Sequence, residues 1–287
     1  MNDFQWGSRT YIMGIVNVTP DSFSGDGVLD VDAVVKQGLR FEQEGADILD
    51  VGGESTRPGS ARIDDEQELE RVLPVIEQLA ARAKIPISVD TSRAIVAQRA
   101  LQAGATFVND VWALSRDAEI ARVVAQHDAF VVLMHNRDAQ AIVGALGGHY
   151  RNVEYATQDI VQAVASELAP RVEYAERAGI SRRKIIIDPG IGFGKGLEQN
   201  LELLRRLREL KNFPALQDLP LLIGTSRKSV IGLTLNLAVQ ERLEGTLATL
   251  ALAIAQGADI VRVHDVQAAV RACRMSDAIV RGMKDKG

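Results

Sequence analysis

Eight short β-branched or apolar runs recur along the chain, at Tyr11–Val16, Asp47–Val51, Pro86–Val89, Thr106–Val108, Phe130–Met134, Lys184–Ile187, Leu221–Ile223 and Asp259–Val263. Runs of this kind read as strands. Between and after them lie helical periodicities at Val31–Glu44, Glu66–Ala83, Arg93–Ala103, Ala118–Gln126, Val153–Ala178, Gln199–Leu210, Glu244–Gln256 and Val266–Lys284. Strict strand–helix alternation predicts an α/β protein with parallel strands. Three helices end in Gly45-Ala46-Asp47, Gly104-Ala105-Thr106 and Gly257-Ala258-Asp259, where glycine supplies the left-handed cap that turns the chain back toward a strand. The units fill all 287 residues and leave no linker, second domain or low-complexity segment. A closed barrel of about 250 residues has this form. The strand count therefore favours a single (β/α)8 TIM barrel over residues 1–287, against an open doubly wound sheet.

Composition narrows the possible partners. Hydrophobic residues make up 46% and charged residues 25%, with 8 Pro, which excludes a disordered or collagen-like chain. A net charge of −5 argues against a nucleic-acid polyanion, so any anion must be bound locally. The one cysteine, Cys273, cannot form an intramolecular disulfide, and Met1 to Gly7 lacks a signal-peptide pattern. A cytoplasmic location is expected. No uncharged apolar stretch is long enough to span a membrane.

In such a barrel the site lies where the strands end. The first run leads into Asn17, the second into Asp50 to Gly59, the third into Asp90-Thr91 and the fourth into Asn109-Asp110. The others lead into His135, Asp188-Pro189-Gly190, Gly224 to Ser229, and the group Arg262, His264 and Asp265. A lone Asp, Asn, Ser or Thr there is ordinarily a helix N-cap or turn former. Arg57, Lys228, Arg262 and His264 do not fit that role, because cations facing helix N-termini oppose the helix dipoles. A bound anion would explain them.

The run Gly190-Ile191-Gly192-Phe193-Gly194-Lys195-Gly196 satisfies neither the dinucleotide nor the P-loop pattern. Asp50 to Gly59, rich in hydroxyls and backbone donors, suits a mobile substrate-covering loop. The histidines His127, His135, His149 and His264 lack zinc-site spacing. Magnesium is different, since one protein oxygen and substrate phosphates can hold it.

Several segments carry a resemblance, in order and over essentially the whole chain. They are Met13 to Ser24, Gly52-Gly53-Glu54-Ser55-Thr56-Arg57-Pro58-Gly59, Ser88-Val89-Asp90-Thr91, Asn109-Asp110-Val111, Asp188 to Lys195, Ser226-Arg227-Lys228-Ser229 and Arg262-Val263-His264-Asp265. Together they resemble the dihydropteroate synthase family of pterin-binding TIM barrels. The resemblance implies a magnesium-using transferase of folate biosynthesis. Such an enzyme joins 6-hydroxymethyl-7,8-dihydropterin pyrophosphate to p-aminobenzoate, giving 7,8-dihydropteroate and pyrophosphate.

By that resemblance Asp90, Asn109 and Asp188 would hydrogen-bond the pterin, with Met134 packing on its ring and Lys228 touching it from above. Asn17 would ligate magnesium, while Arg57, Arg262 and His264 would hold the pyrophosphate. Phe23, Thr56, Pro58, Phe193 and Ser229 would form the p-aminobenzoate pocket. Catalysis would fall to Asp90, Arg57, Lys228, Arg262 and His264. Pyrophosphate can depart first from an electron-rich dihydropterin, so cations would serve the leaving group, while Asp90, Asp188 and either Asp21 or Asp110 would serve the pterin cation. The arylamine is itself the nucleophile, so Cys273 reads as packing on the last helix.

The first loop reads Ser24-Gly25-Asp26-Gly27, with an acid displaced by one place from the family pattern, so Asp26 is left off the site. The intact Gly52 to Pro58 segment, with no insertion after Phe193, points to ordinary sulfonamide sensitivity. The family's homodimer would employ the last helices. A pterin-binding methyltransferase barrel would share Asp90, Asn109 and Asp188 but has no use for the four cations, and a folate-binding scaffold would need none of the charged strand ends.

Overall fold

The computed structural model describes residues 4–18, 30–55, 63–144, 146–150, 153–155 and 157–282. The expected alternation is present. Strands β1 (Tyr11–Asn17), β2 (Ile48–Gly52), β3 (Ile87–Asp90), β4 (Phe107–Asp110) and β5 (Phe130–Met134) precede a hairpin of β6 (Ala141–Gly144) and β7 (Gly147–Tyr150). Strands β8 (Ile185–Asp188), β9 (Leu222–Ile223) and β10 (Ile260–Val263) follow it. The helices are α1 (Val31–Glu44), α2 (Asp65–Arg82), α3 (Ala94–Gln102), α4 (Glu119–Gln126), α5 (Ile160–Arg177), α6 (Leu197–Arg205), α7 (Ser229–Leu235), α8 (Leu243–Ala255) and α9 (Val266–Val280). Apart from the hairpin, the strands form one eight-stranded parallel sheet in the order β8-β5-β4-β3-β2-β1-β10-β9, and a parallel bridge between Ile187 and Leu221 joins its two ends. This is a TIM barrel.

Five of the eight barrel strands, β1 to β4 and β8, end one or two residues later than the apolar runs. Asn17, Asp90, Asn109 and Asp188 belong to the ladder, because parallel neighbours pair with them: Asn17 with Gly52, Gly52 with Asp90, Asp90 with Asn109, and Met134 with Asp188. Hydropathy ends a strand where polarity begins, whereas the backbone ladder continues as long as a partner does.

Other boundaries also move. The helix expected over Val153–Ala178 begins at Ile160, where the Asp159 carboxylate accepts from the amides of Val161 and Gln162. The pattern over Gln199–Leu210 divides into α6 and a 3-10 turn at Leu207–Asn212. The hairpin and α7 are additions to the expected pattern. The capping glycines behave as expected, with φ of 101° at Gly45, 113° at Gly104 and 96° at Gly257.

Two apolar clusters follow from strand alternation. Outward-facing residues such as Ile12, Leu49, Val89, Val131 and Ile187 pack against the helices in the larger one, which includes Cys273. Burial pushes the Cys273 thiol up to about 12, so it is an inert packing group. The smaller cluster, Tyr11, Met13, Ile48, Phe107, Val132, Ile186, Leu222 and Ile260, fills the base of the barrel, with Phe4 and Trp6 packed against it. Helices α8 and α9 pack side by side and expose Leu252 at 65%, Met275 at 63% and Ile279 at 72%. No helix among the described residues is long and apolar enough to cross a membrane.

Candidate active site

Side chains two apart on a strand share a face. Two residues above Ile48, Phe107, Ile186 and Ile260 of the barrel's apolar base therefore stand Asp50, Asn109, Asp188 and Arg262, and above Val132 stands Met134. The lumen changes from apolar to charged within one layer. Asp50, Asp90, Asn109, Met134 and Asp188 are all buried.

Arg262 organises this layer. Its Nε donates to Asp50 Oδ2 and its Nη2 to Asp90 Oδ2, each at 2.6 Å, while Asn109 Nδ2 donates to the same Asp50 oxygen at 2.9 Å. Burial disfavours the guanidinium charge, but Asp50 and Asp90 outweigh it and hold Arg262 protonated. Part of the expected excess of positive charge is thus already matched inside the barrel. Burial pushes Asp90 up to about 7, against the pull of Arg262. Asp50 Oδ1 and the hydroxyl of Ser88, its register partner on β3, are buried without a hydrogen-bond partner among the described residues. Buried polar atoms left in that state usually await a ligand or water.

Asp188 and Lys228 make a second pair. Burial raises the Asp188 pKa while Lys228 and the Gly190 amide, which donates to Oδ1 at 2.7 Å, oppose the rise. Burial likewise lowers Lys228 to about 8, against the pull of Asp188. The Lys228 ammonium donates to the Ile191 carbonyl and lies 4.5 Å from the Phe193 ring centroid. Ser226 Oγ accepts from the His264 amide at 3.2 Å and meets its Nδ1 at 3.0 Å, which orients the imidazole.

The loop after β8 is fixed by a group outside the expected site. Lys195, 1% exposed, places its ammonium 3.0 Å from the carbonyls of Gly190 and Phe193 and 2.8 Å from His135 Nδ1. Burial and Lys195 lower His135 to about 4, so the imidazole is neutral, with Nδ1 accepting from Lys195 and Nε2 donating to Glu167 at 3.1 Å. A Cβ on Gly190, whose φ is +68°, would fall 1.9 Å from the His135 carbonyl, so only glycine lets the loop fold over the end of β5.

The structure therefore brings together Asp90, Asn109, Met134, Asp188, Lys228 and Arg262. The Phe193 ring faces the Lys228 ammonium, Ser229 follows Lys228 as the first residue of α7, and half-buried Asn17 and His264 end β1 and follow β10. The expected residues Phe23, Thr56, Arg57 and Pro58, with Asp21 and Asp26, lie outside the described residues. Asp110 faces away and is a turn former: its carboxylate accepts from the amides of Trp112 and Leu114. It does not serve the site. Asp50, Ser226, Lys195 and His135 join the arrangement without having been singled out as site residues. For Asp50 the signal was present, an acid two places above Ile48 inside an apolar run.

The pterin binding enzyme family model matches residues 13–264, from β1 to just beyond β10. The dihydropteroate synthase of Clostridium beijerinckii is 46% identical over 281 residues, 97% of both chains. A structure of the Clostridium difficile dihydropteroate synthase, obtained in the presence of pteroic acid, superposes with a TM-score of 0.89 at 48% identity, covering 97% of this chain and 99% of that one. That of Xanthomonas albilineans in complex with 7,8-dihydropteroate gives 0.82 at 41% identity, covering 96% and 95%. The family match over a barrel with a charged lumen makes this a pterin-binding TIM-barrel enzyme. Within that class, the chain belongs to the dihydropteroate synthase family.

Proposed function

We infer that the chain condenses 6-hydroxymethyl-7,8-dihydropterin pyrophosphate with p-aminobenzoate to 7,8-dihydropteroate, with pyrophosphate leaving before the arylamine attacks. The observation that carries this reading is the buried set Asp50, Asp90 and Asp188 facing Arg262 and Lys228 across one lumen. Ionised carboxylates only accept, which suits the N–H-rich edge of a pterin, and they stabilise positive charge that develops on its ring. Asp90, Asn109 and Asp188 hold that edge, Met134 packs on the ring and Lys228 covers it. Arg262 Nη1 makes no hydrogen bond among the described residues and, with His264 and Arg57, takes the pyrophosphate. Phe193 and Ser229, with Phe23, Thr56 and Pro58, receive p-aminobenzoate, and a sulfonamide competes there. The direct test is to supply both substrates and magnesium and to look for dihydropteroate by chromatography; no product would overturn the reading.

Asn17 suits magnesium in a limited sense. Its neutral amide ends β1 at the mouth and makes no hydrogen bond among the described residues, where no cluster of three or more His, Cys, Asp or Glu could hold a metal. A neutral ligand binds magnesium only with charge from the pyrophosphate. When bound, the ion neutralises the leaving group. Titration calorimetry should show no micromolar magnesium binding to the free protein and clear binding once pyrophosphate is present; tight binding to the free protein would remove Asn17 from this role.

The exposed stripe Leu252, Met275 and Ile279 on α8 and α9 is the face we assign to a two-fold homodimer. Leu252→Asp with Ile279→Asp should shift the sedimenting species from dimer to monomer at unchanged helicity. A wild-type monomer at micromolar concentration would overturn it. A single catalytic domain and a cytoplasmic location, consistent with one buried cysteine, complete the reading.

A further inference from the structure

The hairpin β6–β7 is inserted between β5 and α5, on the face of the barrel that carries the site. Its partners are Ala141 with Tyr150, Ile142 with His149, Val143 with Gly148, and Gly144 with Gly147. Ile142 and Val143 are exposed, so the barrel core does not account for it. A two-stranded hairpin is marginal by itself, and this one is held at both ends of β7.

At one end β7 packs on the start of α7: a Cβ on Gly147 would lie 4.0 Å from the Cβ of Ser229. At the other, a Cβ on Gly196 would lie 3.7 Å from the Tyr150 carbonyl. The strand thus runs from Ser229 to Gly196, in the loop that carries Phe193.

Arg242 fastens this arrangement. Its Nη2 donates to the hairpin carbonyl of Leu146 at 2.9 Å, its Nη1 to Arg227 at 3.0 Å, and its Nε and Nη2 to Leu237 at 3.1 and 2.9 Å. The residue is 1% exposed, and no carboxylate among the described residues pairs with it. A Cβ on Gly232 would fall 2.1 Å from Nη2, so the helix leaves a side chain out to admit the guanidinium. Burying a charge among carbonyls alone is costly, and here it ties the hairpin, the loop after β9 and the end of α7 into one unit.

We propose that the hairpin is the outer wall of the arylamine side of the site, and that Arg242, as a positioning residue, fixes it so that acceptors ending at the carboxylate are favoured over those extended beyond it. The proposal rests on the reading that places p-aminobenzoate between Phe193 and Ser229. With the carboxylate at Ser229, any group attached to it continues toward Gly147 and the rest of β7. The backbone there, rather than a movable side chain, sets the limit.

The test compares p-aminobenzoate with its glycine amide, p-aminohippurate, as acceptors. In the full-length enzyme with residues 141–150 replaced by Gly-Ser-Gly, kcat/KM for p-aminohippurate relative to p-aminobenzoate should rise about tenfold or more, the range a pocket wall controls. Arg242→Lys, which loses the fork that reaches Leu146, should move the ratio the same way by a smaller factor, and KM for the pterin pyrophosphate should stay put in both. A ratio within about twofold of wild type in a folded replacement overturns the proposal; should the replacement not fold, an unchanged ratio in Arg242→Lys does so. Ser229→Ala separates the two readings. If it leaves KM for p-aminobenzoate unchanged, the acceptor placement fails; if it raises KM while the hairpin variants leave the ratio alone, only the wall fails.

Discussion

Asp90→Asn is expected to cut turnover by at least about 10²-fold while leaving the fold intact, the scale for deleting one preorganised electrostatic group. The substitution keeps shape and volume and removes the charge that, under the proposed function, would face the pterin. It also weakens the 2.6 Å hold on Arg262 Nη2, so binding and chemistry decline together. The pH profile supplies a second check. With Asp90 raised to about 7 by burial and Lys228 lowered to about 8, kcat/KM should fall as pH drops through the first value, where the carboxylate is protonated, and again as pH rises through the second, where the ammonium is lost. In Asp90→Asn the acid limb should vanish and the alkaline limb persist. Near-normal turnover with an unchanged profile would take Asp90 out of the reaction.

Arg262→Met should be the more damaging change, because it removes the cation proposed to serve the leaving group and strands two carboxylates. Asp50 is wholly buried and Asp90 8% exposed, and both lean on this guanidinium. Breaking a buried pair by deleting one partner costs about 3–5 kcal/mol, so urea denaturation should show a loss on that scale alongside a fall in turnover of about 10²-fold or more. Arg262→Lys should restore little of either, since one ammonium cannot reach Asp50 and Asp90 with the fork's geometry. Adding Asp50→Asn to Arg262→Met should recover part of the stability and none of the activity. Equal stability of Arg262→Met and wild type would show that the ion pairs are not structural.

The barrel was legible because its two periodicities are written separately: apolar strand runs for the sheet and Gly-ended helical patterns for the outer ring. Asp90, Asn109 and Asp188 were legible for the same reason, since each follows directly on such a run. Asp50 was harder to read. It sits inside its run, and only counting in twos from the residues that face the lumen places it beside Arg262. Lys195 and His135 are sixty residues apart, so their contact depends on how the loop after β8 crosses the end of β5. The hairpin escaped because its strands are short and rich in glycine, and what defines it is held by Arg242 from far along the chain. Asp110 shows the converse: adjacent to Asn109 and equally polar, it lands on the opposite face.

The stacked rings of Phe4 and Trp6, set against Tyr11, Phe107 and Phe130, stopper the barrel from below. The chamber is consequently a blind alley, and traffic through it forms a queue. Under the proposed function, a reactant bound among Asp50, Asp90 and Asp188 would pass Lys228 on its way in and the second reactant's seat on its way out. The deeper guest would then have to arrive first, would be trapped once the other was seated and, when the two were joined, would leave arylamine end foremost.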